Sequence, residues 1–289
     1  HAPSSCGHRD CRVRLSGAAS LGSVQVGMLQ ALTAKGIRPD LIVGTSVGAV
    51  NGAWLAGGDT DADLVQLADI WRGLDRNDVF PVNPLTGLVG LAGWGDHLVP
   101  DHGLRRLLRR HLRFDRLEDA PIRLHVVATD VLTGVDVQLS RGNAIDAIMA
   151  SAAIPGIFPP VRIDGRLLMD GGVVENTPIG HAVRLGATTV WVLPSGGACS
   201  IAKVPDNALG MALHAIMLAI SQRIAFDIER YQNRVDLKVV PPLCPLSVSP
   251  SDFSRGAELI DRAREQTERW QTKGMPTDGQ AQLLSAHAH

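Results

Sequence analysis

A serine at position 46 stands in a pattern that can carry out nucleophilic chemistry. Gly44 and Gly48 flank Ser46, the apolar residues 41–43 precede this segment, and the small or apolar residues 49–55 follow it. A buried strand, a tight turn and a helix in this order expose the serine hydroxyl at the end of a sheet. The two glycines permit close approach of the backbone. The pattern predicts that Ser46 attacks an ester carbonyl.

An acidic residue ends a second apolar strand. Asp170 follows the apolar residues 167–169 and precedes Gly171 and Gly172. Carboxylates are rarely buried without a partner. Two interpretations stay open from the residues alone. Asp170 accepts a proton from a serine hydroxyl, or it stabilises a turn by accepting a hydrogen bond from the Gly172 N–H group.

The first strand, turn and helix of the chain can supply backbone donors. Residues 13–15 predict a strand and residues 16–22 a turn rich in small residues. Successive N–H groups in such a turn can bind an anion. Glycines at 17 and 22 do not fit a dinucleotide fingerprint, and no Lys-Ser or Lys-Thr pair follows Gly22 as a P-loop requires. The turn is therefore predicted to be an oxyanion hole.

Strands and helices alternate along the chain. This alternation predicts an α/β fold in three layers, with a mostly parallel central sheet covered by helices on both faces. We expect a loose tail at 1–11, a single catalytic domain at 12–272 and a disordered tail at 273–289. A long helix is predicted over 206–234. Its apolar first half, 208–220, is too short to span a bilayer and is expected to be a core helix.

Composition and charge exclude several function classes. The 289 residues are 45% hydrophobic and 20% charged with a net charge of -1, so no overall field attracts nucleic acid. Aromatic residues make up only 4% of the chain, which disfavours base-stacking surfaces. The four cysteines match no zinc pattern and are too scattered for a disulfide scaffold. We expect neither a metal nor a cofactor.

The location and the surface contacts are predicted from weaker signals. Without a visible signal peptide the protein is expected in the cytoplasm, with secretion as an alternative because the chain begins with His1. The basic amphipathic helix at 101–112 predicts either an ordinary solvated face or peripheral contact with an anionic membrane. The apolar, glycine-rich residues 79–100 predict either a binding loop or a surface loop.

Four separated motifs occur along the chain: Leu15-Ser16-Gly17 to Gly22, Gly44 to Gly48, Ala150-Ser151-Ala152-Ala153-Ile154-Pro155 to Phe158-Pro159-Pro160, and Asp170-Gly171-Gly172 to Asn176-Thr177-Pro178. In this order they resemble the patatin-like phospholipases. The resemblance implies a Ser–Asp dyad, in which Ser46 attacks the carbonyl carbon and Asp170 is the general base. It implies hydrolysis of lipid or fatty-acyl esters through an acyl-enzyme, as in a phospholipase A, a lysophospholipase or an esterase. The backbone N–H groups of Gly17, Ala18 and Ala19 would form the oxyanion hole.

The chain departs from the family pattern in the oxyanion turn. Ala18 and Ala19 replace two glycines, and Leu21 stands where a basic residue is usual. Loss of the basic residue favours simpler acyl esters over phospholipids. Two alternatives follow: a catalytically silent lipid-binding or regulatory protein with the same fold, and an acyltransferase in which the loop 79–100 excludes water. A triad that uses His181 or His214 is disfavoured, because both lie in helical patterns.

Overall fold

The structure is a computed structural model that describes most of the chain. The predicted oxyanion residues Gly17, Ala18 and Ala19 lie outside the described residues, as do 1–10 of the N-terminal tail, 82–96 of the loop and 277–289 of the C-terminal tail. The domain bounds 12 and 272 therefore stay predictions. The described residues are 11–15, 21–58, 60–81, 97–175, 178–195, 208–244, 246, 248–249 and 252–276.

Within the described residues, eight strands form one sheet, in the order β5-β6-β3-β2-β1-β7-β8, with β4 paired to β3 beside this path. The neighbours among β3, β2, β1, β7 and β8 are parallel, whereas β4 and β6 run antiparallel to β3, and β5 antiparallel to β6. The predicted α/β fold with a mostly parallel sheet is confirmed. The strands are β1 (Cys11–Leu15), β2 (Leu41–Thr45), β3 (Arg123–Asp130), β4 (Asp136–Leu139), β5 (Val161–Ile163), β6 (Arg166–Asp170), β7 (Thr189–Leu193) and β8 (Asp236–Val239).

Helices cover both faces of the sheet. Alternate residues of β7 contribute to separate cores, since Val190 and Val192 pack with α8 and α9, whereas Trp191 and Leu193 join the larger core on the opposite face. The helices are α1 (Gly22–Ala34), α2 (Val47–Leu55), α3 (Thr60–Gly73), α4 (Arg76–Val79), α5 (His102–His111), α6 (Ala144–Ser151), α7 (Gly172–Glu175), α8 (Ile179–Arg184), α9 (Ala208–Tyr231) and α10 (Gly256–Thr272). The three-layer architecture is as predicted.

The long helix α9 is only partly a core helix. Ile224 and Ile228 are buried, but Met211 and Leu218 are 46% and 45% exposed. The helix is much longer than the strand that follows it. Its 24 residues extend about 36 Å, whereas the four residues of β8 extend only about 13 Å, so the sheet cannot cover the whole length of α9. The prediction of a core helix over 208–220 was therefore wrong. No helix in the described part of the chain is long and apolar enough to cross a membrane.

The basic helix α5 is attached to the domain by its apolar face and by one arginine. Leu104 and Leu108 are buried. Arg105 forms ion pairs with Asp101 and, at 2.7 Å, with Asp146. This engages one of the basic side chains that suggested membrane contact, and such contact through α5 stays a prediction.

Cys244 follows the last strand and is disulfide-bonded. The cysteine spacing had indicated no disulfide framework. Spacing along the chain carries little information on which cysteines the fold brings together.

Candidate active site

Ser46 occupies a strained turn between β2 and α2. Its backbone angles are φ 55° and ψ −128°, in a region that residues with a side chain rarely adopt. A Cβ atom on Gly44 would lie 2.5 Å from the Gly48 carbonyl oxygen, so the close approach predicted for these glycines is required. The Ser46 N–H group donates to Ser151 Oγ at 2.9 Å, and Ser151 Oγ in turn donates to the Val127 carbonyl at 2.6 Å. These bonds hold the turn on the sheet.

Asp170 lies at the end of β6 and contacts Ser46 directly. Ser46 Oγ donates to Asp170 Oδ2 at 2.6 Å. The Gly172 N–H group donates to Asp170 Oδ1 at 2.7 Å. The carboxylate therefore makes both contacts considered from the sequence, with one oxygen on the serine hydroxyl and the other on the turn, and the role of Asp170 as a base stays a prediction.

Strand register explains why these residues meet. On β3, Val127 aligns with Thr45 of β2, and the next residue, Ala128, aligns with Asp170 of β6. The end of β2 therefore meets the end of β6 against the same strand. A Cβ atom on Gly171 would lie 2.2 Å from the Val127 carbonyl oxygen, so only glycine fits the turn after Asp170.

Burial changes the acidity of Asp170. Only 6% of this residue is exposed. Burial raises the pKa of its carboxyl to about 6, although the hydrogen bonds from Ser46 and Gly172 act in the opposite direction. At neutral pH the group is mostly ionised, and a carboxylate with a pKa near the working pH is suited to accept a proton.

The start of α1 packs closely against the elbow helix. A Cβ atom on Gly22 would lie 2.4 Å from Val47 Cγ2 and 2.5 Å from the Trp71 ring, so this motif glycine is needed for packing. Leu21, at the position where a basic residue is usual, is only 4% exposed and belongs to the core.

An apolar cavity begins at Ser46. Its empty volume is about 570 Å³, including space open to solvent. Val47, Val50 and Trp54 line it along one face of α2, and Phe158 and Phe253 contribute further apolar wall. From Ser46 to Trp54, the helix advances about 12 Å along this cavity. The sequence had not predicted this cavity, because its lining comes from separate helices and loops.

A second cluster of ionisable side chains lies beyond Asp170. His181 Nε2 is 2.8 Å from Asp136 Oδ2 and 3.6 Å from Glu175 Oε2. His181 Nδ1 is 2.7 Å from Gln138 Oε1, so this histidine is engaged away from the serine. Among the described residues, these two acids and the histidine are the group that could bind a metal ion. Arg184 lies 3.8 Å from Asp136 and supplies positive charge there.

The electrostatics of this cluster differ from those of the serine pair. Burial, with a smaller contribution from the nearby carboxylates of Asp136 and Asp227, raises the pKa of Glu175 to about 7. The Glu175 carbonyl accepts a hydrogen bond from the Thr45 hydroxyl at 3.2 Å, which connects α7 to the residue before the serine. No sequence pattern indicates this cluster, because its members come from the separate elements β4, α7 and α8.

Comparison with known proteins identifies the family. The site described above consists of a serine in a strand–turn–helix elbow that is hydrogen-bonded to a buried aspartate at the end of a neighbouring strand. The sequence profile described as patatin-like phospholipase matches residues 14–183, and the chain belongs to this family.

Named relatives agree with this assignment. The chain is 28% identical over 193 residues to lysophospholipase NTE1 of Candida glabrata, covering 63% of this chain and 10% of the relative. It is 32% identical over 166 residues to an uncharacterized NTE family protein of Mycobacterium tuberculosis, covering 57% of this chain and 43% of the relative. The chain thus spans less than half of the length of these relatives.

Two solved structures match most of the chain at lower sequence identity. VipD from Legionella pneumophila matches with a TM-score of 0.49 and 16% identity, covering 91% of this chain and 67% of VipD. The type III effector protein ExoU matches with a TM-score of 0.44 and 14% identity, covering 91% of this chain and 53% of ExoU.

Proposed function

We propose that the protein hydrolyses carboxylic esters of a single fatty-acyl chain, such as lysophospholipids or simpler acyl esters, through an acyl-enzyme on Ser46. The observation that carries this proposal is the 2.6 Å hydrogen bond from Ser46 Oγ to Asp170 Oδ2 at the edge of an apolar cavity. Membership of the patatin-like phospholipase family and similarity to the lysophospholipase NTE1 of Candida glabrata support a lipid substrate.

The proposed reaction needs only these two side chains and backbone donors. Ser46 Oγ attacks the ester carbonyl carbon while its proton passes to Asp170 Oδ2, and the leaving alcohol takes up that proton as the C–O bond breaks. Asp170 then accepts a proton from water as the water oxygen attacks the acyl carbonyl carbon, and it returns this proton to Ser46 Oγ as the acyl C–O bond breaks and the fatty acid leaves. The N–H groups of Gly17, Ala18 and Ala19 are proposed to stabilise the oxyanion in both steps.

The cavity supports a single acyl chain as the bound group. Apart from Ser46, the residues lining it have aliphatic or aromatic side chains. Transfer of a hydrocarbon chain from water into such a cavity is favourable by roughly 0.8 kcal/mol for each buried methylene. Because α2 runs along the cavity from the serine, the carbonyl end of the chain would lie at Ser46 and the methyl end near Trp54.

The direct test is hydrolysis of lysophosphatidylcholine and of a medium-chain acyl ester by purified protein. We expect Ser46→Ala to lose about a thousandfold or more of the turnover, because the nucleophile is removed. Ser140→Ala, which changes a serine outside the site, is the matched control and should retain the wild-type rate. Unchanged hydrolysis by Ser46→Ala would overturn the proposal, and fatty-acid binding without turnover would favour a silent lipid-binding protein.

A further inference from the structure

Three side chains that can ligate a metal ion converge beyond Asp170. Asp136 on β4, Glu175 on α7 and His181 on α8 each place one ligand atom within 4.8 Å of those of the other two. One imidazole nitrogen and two carboxylate oxygens are donors that proteins use to bind zinc. Glu175 and His181 are buried, whereas the Asp136 side chain is 30% exposed, which leaves a path for an ion to enter. We call these three residues the Asp–Glu–His cluster.

The carboxylate of Glu175 accepts no hydrogen bond from the described part of the chain. The residue is only 8% exposed. Its Oε2 atom lies 3.6 Å from His181 Nε2, which is too far for a hydrogen bond. A carboxylate that leaves water without gaining a donor or a cation is destabilising, because its lost hydration is not replaced. The buried Glu175 side chain therefore indicates a cation that contacts it directly.

The contacts of His181 favour a metal ion over a proton at this place. His181 Nδ1 lies 2.7 Å from Gln138 Oε1, and Gln138 Nε2 lies 2.6 Å from His125 Nδ1. With the amide in this orientation, Nδ1 donates to an oxygen and Nε2 is the atom beside the carboxylates, as in histidines that ligate metals. A proton on Nε2 can be shared with Asp136 Oδ2, at 2.8 Å, but it leaves Glu175 without a donor. A metal ion would contact all three ligand atoms.

The arginines near the Asp–Glu–His cluster do not donate hydrogen bonds to its carboxylates. Arg184 Nη2 comes no closer than 3.8 Å to Asp136 Oδ2, and 59% of its side chain is exposed. Arg223 is hydrogen-bonded to Asp227 at 3.0 Å, and the charge of Arg230 also acts on Asp227. These guanidinium groups weaken the negative potential of the cluster from a distance, but they leave its ligand oxygens open to an ion.

The short helix α7 connects the Asp–Glu–His cluster to the serine pair. It begins at Gly172, whose N–H group donates to Asp170 Oδ1. It ends at Glu175, whose backbone carbonyl accepts a hydrogen bond from the Thr45 hydroxyl. An ion bound to the Glu175 side chain would therefore hold α7 against β4 and α8, and with it the turn that follows Asp170.

We propose that the Asp–Glu–His cluster binds a zinc ion that fixes α7 between β4 and α8. Ligand atoms about 2.0–2.1 Å from a tetrahedral zinc ion lie about 3.3 Å from one another. The separations of 2.8 Å and 3.6 Å between His181 Nε2 and the two carboxylates lie on either side of this distance. The proposal departs from the expectation of no metal, which followed from the cysteine spacing, and it holds whether or not the protein hydrolyses an ester.

The test is a calorimetric titration of the metal-free protein with Zn²⁺ at neutral pH, together with X-ray absorption of the protein loaded with one equivalent of zinc. We expect Asp136→Asn and Glu175→Gln each to weaken zinc binding at least about tenfold, because a neutral amide replaces a charged ligand of the same shape. Arg184→Gln should strengthen it a few-fold, because a nearby positive charge is removed. Asp69→Asn, which changes an exposed carboxylate on α3, is the matched control and should keep the wild-type affinity. The absorption spectrum should show nitrogen and oxygen ligands at about 2.0–2.1 Å.

Several results would overturn the zinc site. If the wild type binds no zinc, the cluster is an ion-pair network around a protonated histidine. Equal affinity in the wild type, Asp136→Asn and Glu175→Gln would place the ion elsewhere on the chain, and a sulfur shell at about 2.3 Å would place it on the cysteines. Weaker binding in Arg184→Gln as well as in the two ligand variants would show dependence on the folding of this region instead of on ligand charge.

Discussion

Asp170 and Glu175 are two buried carboxylates five residues apart, and their surroundings assign them different tasks. Asp170 faces a hydroxyl and a backbone N–H group, and its pKa is raised to about 6 by burial. Glu175 faces charged side chains of β4, α8 and α9, and both burial and like charges raise its pKa to about 7. A raised pKa therefore does not by itself identify a general base. What distinguishes the proposed base, Asp170, is its direct hydrogen bond to the Ser46 hydroxyl.

The largest expected difference between the two carboxylates is in activity. Asp170→Asn should reduce ester hydrolysis by about a hundredfold to ten-thousandfold, because no other described group contacts Ser46 Oγ as an acceptor. Glu175→Gln keeps the shape of the side chain, and we expect it to lower the rate of ester hydrolysis by less than about tenfold. Steady-state kinetics on a soluble ester measures both. Equal losses in the two variants would remove the distinction between them.

Gly171, the first of the two glycines that follow Asp170, should not tolerate a side chain. Gly171→Ala would place its Cβ atom against the Val127 carbonyl oxygen, and we expect destabilisation of about 1–3 kcal/mol together with loss of activity as Asp170 moves. Gly73→Ala is the matched control, since a Cβ atom there would meet nothing within 4 Å. Urea unfolding measures the free energy of unfolding, and the ester assay measures the activity. Wild-type stability in Gly171→Ala would show that the turn can relax.

The two carboxylates should also differ in how they link stability to pH. A carboxyl whose pKa is higher in the folded state than in the unfolded state binds its proton more tightly when folded, so stability falls as pH rises between the two values. The contribution of Asp170 to the free energy of unfolding should decrease between about pH 4 and 6. The contribution of Glu175 should decrease over a range that extends to about pH 7. Asp170→Asn should therefore be more stable than the wild type by about 1–3 kcal/mol at pH 8, with no such gain at pH 4.

Urea unfolding of the wild type, Asp170→Asn and Glu175→Gln between pH 4 and pH 8 provides the comparison. The Asp170→Asn curve should separate from the wild-type curve at lower pH than the Glu175→Gln curve. Superimposed curves over this range would contradict the different surroundings described for the two groups.

The smallest expected effect concerns the cavity, which adjoins the serine pair but not the charged cluster. Trp54→Ala extends the apolar space at the end furthest from Ser46, and we expect the preferred acyl chain to lengthen with a change of a few-fold in relative kcat/KM. Rates on esters of increasing chain length measure this. Leu218→Ala, outside the cavity, should leave the profile on soluble esters unchanged. A similar shift in both variants would exclude a specific role for Trp54.

The sequence predicted the parts of this molecule that depend on local patterns. The apolar strand before Ser46, the glycines around it and the glycines after Asp170 constrain the backbone directly, and the layers of the fold follow from the alternation of strands and helices. The hydrogen bonds of Ser151 and the Asp136, Glu175 and His181 cluster were not predictable, because strand register and helix packing bring these residues together. The apolar first half of α9 was misassigned to the core, since hydrophobicity alone does not reveal that the helix is longer than the sheet it covers.

The most direct measurement of the central claim is reaction with a fluorophosphonate probe followed by mass spectrometry of the labelled peptide. Such a probe reacts with a serine whose hydroxyl is activated by a neighbouring base. A single adduct on Ser46 in the wild type and in Glu175→Gln, with labelling lost in Asp170→Asn, is the predicted result. An adduct on another serine, or equal labelling of Ser46 in Asp170→Asn, would contradict the assignment of Ser46 and Asp170 as nucleophile and base.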